Sequence, residues 1–308
     1  MSYKSDVKKA DRIQEAVDFP KVVLIDNCSA CNLMCSMCDH KNVRNYRKIE
    51  IMPWKLYTKI IDEIAIENPG ARVWEIFFGE PCLCRDMSKR IAYAKEKGIN
   101  DVVLNSNGVL LNKDIAKAYI QAGLKSIYIG IDAASKDTYE KIRVGGDFER
   151  AKNNVLNYRA LLDEYGSDDQ DVFVQFVVSD INEGEIEDFK KFWTTKGVNV
   201  KIRPKVSWAG LVDADNLLSN SEVKRKPCYW LMQTINICTN GETALCSADP
   251  HCQVKCGNVN KKSIKEIWND ILKEYRTMHN QGRFDELPDL CKNCKDWQSA
   301  YSEYVKGE

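Results

Sequence analysis

The stretch Ile120-Gln-Ala-Gly-Leu-Lys-Ser-Ile-Tyr-Ile-Gly-Ile-Asp-Ala133 carries the pattern that decides the fold. Ile115, Ala118, Tyr119 and Ala122 lead into it at helical spacing. Gly123 stops that helix just past its end, where left-handed backbone suits glycine. The run that follows is short and apolar on both faces, as strands of a buried parallel sheet are. The unit recurs around Gly98, before Asp101-Val-Val-Leu-Asn-Ser-Asn-Gly108, and around Gly197, before Val198-Asn-Val-Lys-Ile-Arg-Pro204. Ile186, Phe189 and Trp193 supply the helical stripe ahead of the last. Further strands are predicted at Lys21–Asp26, Arg72–Phe78 and Asp171–Ser179. About six strands alternating with helices predict an α/β fold, either a barrel or a doubly wound sheet. The regular beat favours a partial (β/α)6 TIM-like barrel, since a full eightfold barrel takes about 250 residues.

The beat stops after Pro204, and residues 205–225 read as polar and strandless. Seven of the thirteen cysteines then fall between Cys228 and Cys294. One helix is plain there: Ser263 and Glu266 form a capping box ahead of Ile264, Ile267, Trp268 and Ile271. The predicted organisation is an N-terminal extension (1–20), a barrel (21–207), a linker (208–226) and a small cysteine-rich domain (227–308).

The chain has 308 residues, with 45 basic and 45 acidic side chains. That balance argues against non-specific nucleic-acid binding and a polybasic membrane surface. No apolar run approaches the ~20 residues of a membrane helix. The charged first twenty residues lack a secretory apolar core, so a cytoplasmic protein is expected. In a reducing compartment an odd set of thirteen cysteines reads as packing, metal ligation or catalysis rather than disulfides.

Cys31-Asn-Leu-Met-Cys35-Ser-Met-Cys38 follows the first strand directly. Three thiolates this close can wrap one iron–sulfur cluster with an iron left open. The alternative is zinc, with His40 or Cys28 as the fourth ligand. The stretch resembles the signature of the radical S-adenosylmethionine superfamily. The resemblance implies a 4Fe–4S cluster on Cys31, Cys35 and Cys38 whose open iron chelates S-adenosylmethionine. An electron from that cluster would cleave a carbon–sulfur bond to a 5′-deoxyadenosyl radical, which takes a hydrogen atom from substrate. Met37 stands where the family often has an adenine-contacting aromatic residue.

Other motifs fall at strand ends, where barrel chemistry sits. Gly79-Glu80-Pro81 is similar to the family segment that binds the cofactor's amino group, and Glu80 can pair with an ammonium. Asn105 opens a polar Asn-Gly turn like the family's. Asp132 corresponds to the family's ribose-side Asp, although Gly130 replaces the usual Ser. Arg143 resembles the arginine that meets the cofactor carboxylate.

Cys228, Cys246, Cys291 and Cys294 stand apart, with Gly241 ahead of Cys246. Zinc and an iron–sulfur cluster both suit four thiolates. Their spacing resembles the twitch half of the SPASM extension, which implies a fully ligated auxiliary 4Fe–4S cluster acting as an electron carrier. A second auxiliary cluster is not expected, as no cysteine follows Cys294. Cys28, Cys82, Cys84, Cys238, Cys252 and Cys256 remain. They read as packing residues or as a hydrogen-atom donor, with Cys252 and Cys256 the candidate donors.

The layout is similar to the 2-deoxy-scyllo-inosamine dehydrogenase family and to aminoglycoside radical epimerases. Three outcomes are open: dehydrogenation with the auxiliary cluster taking an electron, epimerisation with a Cys donor, or peptide modification. A small molecule is expected as substrate (a sugar, cyclitol or nucleotide sugar), with flavodoxin or ferredoxin as electron donor and no nucleic-acid or membrane partner. Lys205, Arg203, Asp249 and His251 are candidate bases. The competing class is a zinc–thiolate scaffold or interaction module. Anaerobically purified protein is expected to be brown, with about eight iron and eight sulfide per chain. Colourless protein carrying stoichiometric zinc would establish the scaffold instead.

Overall fold

A computed structural model describes residues 18–214, 216–218, 223–299 and 302–308. Most of the predicted N-terminal extension, residues 1–17, lies outside the described residues. Six parallel strands form the centre: β1 (Val22–Ile25), β2 (Arg72–Trp74), β3 (Val102–Ser106), β4 (Ser126–Gly130), β5 (Asp171–Val178) and β6 (Asn199–Pro204). They lie side by side in chain order, with Val23 opposite Val73, Val103 opposite Ser126 and Gln175 opposite Lys201. Helices α1 (Trp54–Glu67), α2 (Met87–Glu96), α3 (Lys113–Gln121), α4 (Lys136–Ile142), α5 (Phe148–Tyr165) and α6 (Ile186–Thr194) fill the crossovers. This is a partial TIM-like barrel core, followed by a cysteine-rich segment.

That segment continues the same sheet. After the short α7 (Tyr229–Gln233), β7 (Thr234–Ile237) pairs parallel with the free side of β1, Val23 facing Ile235. Strands β8 (Glu242–Ala244) and β9 (Lys255–Asn258) then add on antiparallel. Helices α8 (Ile264–Asn269), α9 (Ile271–Gln281) and α10 (Asp289–Lys292) follow. Strand β10 (Glu303–Val305) returns to pair antiparallel with β6 at the opposite edge.

The expected local signals are present. Gly123 sits at φ +84° past α3. Ser263 and Glu266 make both capping-box hydrogen bonds, and Ile264, Ile267 and Trp268 are buried. Phe189 and Trp193 are the buried face of α6. On α3 the buried residues are Ala116, Tyr119 and Ile120, while Ile115 and Ala118 of the predicted stripe are half-buried. The packed face is thus rotated by about one residue from the predicted one, Tyr119 being common to both.

Beneath the end of β1 lies a buried polar network. Arg90 donates to Asn27 Oδ1 (3.0 Å) and to the Met52 carbonyl (2.7 Å). The Asn27 amide donates to the Glu75 carboxyl (2.6 Å). The Tyr57 hydroxyl lies 2.6 Å from Glu75 Oε1 and 2.7 Å from the Arg90 carbonyl. One phenolic proton cannot serve both acceptors. A protonated Glu75 resolves this by donating to Tyr57, which then donates to the carbonyl. Burial agrees, pushing the Glu75 carboxyl up to about 7.

The folded state therefore holds a proton that the unfolded chain releases near its ordinary carboxyl value of 4.5. Stability from this group falls as pH rises from about 4.5 through 7. Glu75→Gln supplies a matching donor and acceptor at every pH. Urea unfolding at pH 5 and pH 8 is expected to show wild type losing on the order of 3 kcal/mol that Glu75→Gln keeps. Parallel pH profiles for the two proteins would mean that Glu75 is ionised in the fold.

Candidate active site

The cysteine triplet occupies the loop between β1 and α1. Its backbone is pinned to the end of α4 and the turn after it, Met34 N–H to the Val144 carbonyl and Ser36 N–H to the Ile142 carbonyl (both 2.9 Å). Cys31, Cys35 and Cys38 line one cavity of about 170 Å³ at the C-terminal ends of the strands, together with Phe78, Gly79, Glu80, Asn105 and Arg143. Burial pushes the thiols of Cys31 and Cys38 up to about 11 and 12. Such thiols ionise readily only when a metal takes the charge. Of the other two zinc ligands considered, His40 lines the same cavity and Cys28 does not. His40 Nε2 lies 2.8 Å from the Ser29 carbonyl, and Cys28 is buried away from the cavity.

Gly79 presses on the cysteine loop. A Cβ there would lie 2.0 Å from the Cys28 carbonyl oxygen and 2.8 Å from that of Ala30. The next N–H, that of Glu80, donates to the Ala30 carbonyl (2.7 Å). The buried Glu80 carboxylate accepts from Asn107 N–H (2.8 Å), Ser106 Oγ (2.8 Å) and Cys82 N–H (3.1 Å). The Cys82 thiol bonds it as well, and the position open to a ligand is the side on which Glu80 lines the cavity. Burial raises the Glu80 pKa, and no described cation forms an ion pair with it. A ligand ammonium fits that position. Pro81 starts the short helical turn behind Glu80 and does not line the cavity.

Asp132 is not a cavity residue. Its Oδ1 accepts from Val177 N–H (2.7 Å), and its Oδ2 from Arg143 Nε (2.6 Å). Arg143 Nη1 in turn approaches Cys35 Sγ at 3.6 Å. A Cβ on Gly130 would meet Arg143 Nη2 at 2.0 Å. The glycine thus opens the path by which Arg143 crosses the end of β4 to reach Asp132 and the cysteine. Asn105 accepts from the Gln175 amide (3.0 Å). Met37 lines the cavity, and its carbonyl accepts from Trp208 Nε1 (3.0 Å). Trp208 packs edge-on against Phe78, so aromatic surface enters the site from the segment after β6.

Cys228, Cys246, Cys291 and Cys294 line a second, largely apolar pocket with Leu231, Leu245 and Trp297. All four are buried, and burial raises every one of their thiol pKa values, Cys228 to about 12. Arg225 donates to the carbonyls of Cys291 and Lys292 (2.7 Å each) and lies 3.6 Å from Cys291 Sγ. His279 Nδ1 accepts the Cys228 N–H (3.4 Å), which leaves Nε2–H to face Cys291 Sγ at 3.2 Å. Hydrogen bonds to ligand sulfurs are what tune such a cluster. Among the described residues no three His, Cys, Asp or Glu side chains converge as the ligands of one metal ion do; a four-iron cube is held at its corners, a wider arrangement.

A third cavity, about 320 Å³, joins the two. With the first it shares Phe77, Asn105, Gln175, Arg203, Val206 and Trp208; with the second, Trp230, Ala248 and Asp296. Trp208 and Ala209 hold positive φ (51° and 56°), and the Asp296 carboxylate steadies them by accepting Ser207 N–H (2.6 Å) and Ala209 N–H (2.7 Å). Trp208, Gln175 and Lys201 were not singled out in the sequence; the alternation of Lys201 with Arg203 along β6 is the signal that points to Lys201. Cys252 and Cys256 line none of the three cavities. Cys252 packs beside Cys238 under Phe78, and Cys256 Sγ donates to the Val254 carbonyl. Asp249 is consumed by Gln253 and Val254 N–H groups, and His251 by Asp39 (2.7 Å), so neither reaches the cavity.

Three thiols beside a buried carboxylate, at the mouth of a parallel barrel, define a cluster-binding barrel enzyme. The chain belongs to the radical SAM superfamily: that family's profile matches residues 28–192. The SPASM iron–sulfur cluster-binding domain matches residues 228–295. The two families imply S-adenosylmethionine with its 4Fe–4S cluster, and an auxiliary cluster. A GTP 3′,8-cyclase of Alkaliphilus metalliredigens is 30% identical over 224 residues, 70% of this chain and 65% of the relative. A probable GTP 3′,8-cyclase of Methanococcus maripaludis is 35% identical over 125 residues, 41% of each chain, so the chain spans less than half the length of that relative. Among solved structures, BtrN in complex with AdoMet and 2-DOIA superposes with TM-score 0.61 at 17% identity, covering 89% of this chain and 92% of BtrN. Streptococcus suis SuiB bound to precursor peptide SuiA gives 0.68 at 13% identity, covering 92% and 71%. No helix among the described residues is long and apolar enough to cross a membrane.

Gly79→Ala tests the cradle. Its methyl group has only rigid backbone to push against. Iron is expected to fall from about eight to about four per chain, with the remaining four assigned by spectroscopy to the four-cysteine site. Full iron content in Gly79→Ala would contradict this geometry.

Proposed function

We propose that this enzyme dehydrogenates a small molecule held in the joining cavity, with Cys31, Cys35 and Cys38 holding the S-adenosylmethionine-binding cluster and Cys228, Cys246, Cys291 and Cys294 the auxiliary one. The observation that carries this reading is the 320 Å³ cavity itself, which shares walls with both cysteine sites. Its size is that of a small-molecule site. When bound, the cluster and cofactor supply a 5′-deoxyadenosyl radical that takes a hydrogen atom.

The chain's own groups do the positioning. Glu80 pairs with the cofactor ammonium. Gly79 sets the cysteine loop against β2. Asp132 aims Arg143, whose guanidinium sits beside Cys35 and adds positive charge next to a ligand sulfur. Met37, Phe78 and Trp208 give apolar walls, and Asn105 with Gln175 forms a polar seam facing both cavities. Arg225 and His279 approach Cys291 Sγ, where they would hydrogen-bond a ligand sulfur of the auxiliary cluster, a group that would supply an acceptor for the second electron. Of the proton acceptors considered, Arg203 and Lys205 line the first cavity. Dehydrogenation is favoured over epimerisation because, among the described residues, no cysteine outside the triplet lines the first or joining cavity. A reduced flavodoxin or ferredoxin is the donor this chemistry calls for.

With dithionite and S-adenosylmethionine, wild type is expected to release 5′-deoxyadenosine. Cys35→Ala is expected to abolish this, and Cys291→Ala to retain it while losing product formation. Loss in both variants would mean that the auxiliary site is needed before hydrogen abstraction. Deuterium taken into product from heavy water would indicate epimerisation; a carbonyl product supports the proposal.

A further inference from the structure

The joining cavity is lined by three cationic side chains, Arg72, Lys201 and Arg203, and by one carboxylate, Asp296. Along β6, Lys201 and Arg203 face it from one side of the strand. The Lys201 ammonium is ringed by Tyr128 (4.8 Å), Tyr304 (5.5 Å) and Trp74 (5.9 Å). Aromatic faces steady a cation but accept none of its three N–H bonds in ordinary geometry. No described residue forms an ion pair or side-chain hydrogen bond with Lys201 or Arg203, whereas neighbouring Arg72 is paired with Asp101 (2.8 Å). The one carboxylate lining the cavity, Asp296, already accepts the two backbone N–H groups of the Trp208 turn, and Asp132, which attracts Arg203 from outside the cavity, is paired with Arg143.

Burial pushes Lys201 down to about 7, helped by the positive charges of Arg203 and Arg72. Two partly desolvated cations held side by side are unfavourable unless an anion joins them. Apart from the engaged Asp296, no described lining residue provides one; an anionic ligand would.

We propose that the substrate is a small oxyanion, a phosphate ester or a carboxylate, whose charged group is clasped by Lys201 and Arg203. This rests on the reading that the substrate occupies the joining cavity, and it narrows the substrate class. Arg203 also lines the cofactor cavity, whereas Lys201 does not. Lys201 is therefore the residue that separates substrate recognition from cofactor binding. The planar guanidinium offers a forked pair of donors to two oxygens, and the ammonium adds a point charge from one residue pair deeper in the barrel.

The test is calorimetric titration of anaerobic, cluster-loaded protein with inorganic phosphate, in the presence of S-adenosylmethionine. Saturable binding is expected. Lys201→Gln is expected to weaken it at least about tenfold and Lys201→Arg to restore most of it. The exposed Lys196→Gln, which removes the same charge elsewhere, is expected to bind as wild type does. Iron content and melting temperature report that each variant is folded; should Lys201→Gln fail that check, Arg203→Gln serves in its place. Absence of saturable phosphate binding, or equal binding by Lys201→Gln, would overturn the proposal. Acetate displacing phosphate supports the carboxylate source, and failure to displace supports the phosphate ester. A hexaglutamate peptide binding more tightly than either would overturn the small-molecule assignment. These readouts do not depend on 5′-deoxyadenosine release, so failure here and failure of the radical reading are distinguishable.

Discussion

A single buried carboxylate ties the site together. Through its backbone N–H, Glu80 holds the cysteine loop at Ala30; through its side chain it gathers the end of β3 at Ser106 and Asn107 and the turn at Cys82. Burying a carboxylate is costly unless hydrogen bonds and a counter-charge meet it. Hydrogen bonds from Asn107, Ser106 and Cys82 meet part of that need, and Glu80 lines the cavity that the three cysteines also line. The strand ends, the loop and the ligand position are thereby fixed relative to one another. Gly79 makes the approach possible, and Gly130 does the same for Arg143 on the far side of the mouth.

Much of this was legible in the sequence where it is local. The helix–glycine–strand beat is periodic, so the six parallel strands follow from it. Cys31, Cys35 and Cys38 are close in the chain, and a loop after a strand leaves them few ways to point. The capping box at Ser263 is complete within four residues. What sequence could not give is contact across long separations. Residues 205–209 read as polar linker, yet Trp208 lines the site because Asp296, far downstream, holds its turn in left-handed backbone. Strand β7 joins β1 across some two hundred residues, and no local pattern announces that pairing. Asp132 carried the right spacing, but its partner proved to be Arg143, which depended on the missing side chain at Gly130. Lys201 alternates with Arg203 opposite the buried Val200 and Ile202, yet alternation alone does not say whether the polar face meets solvent or the barrel interior.

The same continuity explains how two cysteine sites serve one cavity. Because β7 extends the barrel sheet, the four-cysteine pocket is carried to the barrel's open side rather than onto a separate body. Asp296 then links the two functions physically: its carboxylate shapes the Trp208 wall, and its N–H approaches Cys294 Sγ at 3.4 Å. Asp296 thus contacts both the Trp208 turn and Cys294, two residues away in its own segment.

The most direct measurement is a crystal structure of anaerobically prepared protein soaked with S-adenosylmethionine. A four-iron cube is expected on Cys31, Cys35 and Cys38 with one iron free of protein ligands, and the ligand's ammonium within about 3 Å of a Glu80 oxygen. A fourth protein side chain on that iron, or one metal ion in place of the cube, would contradict it.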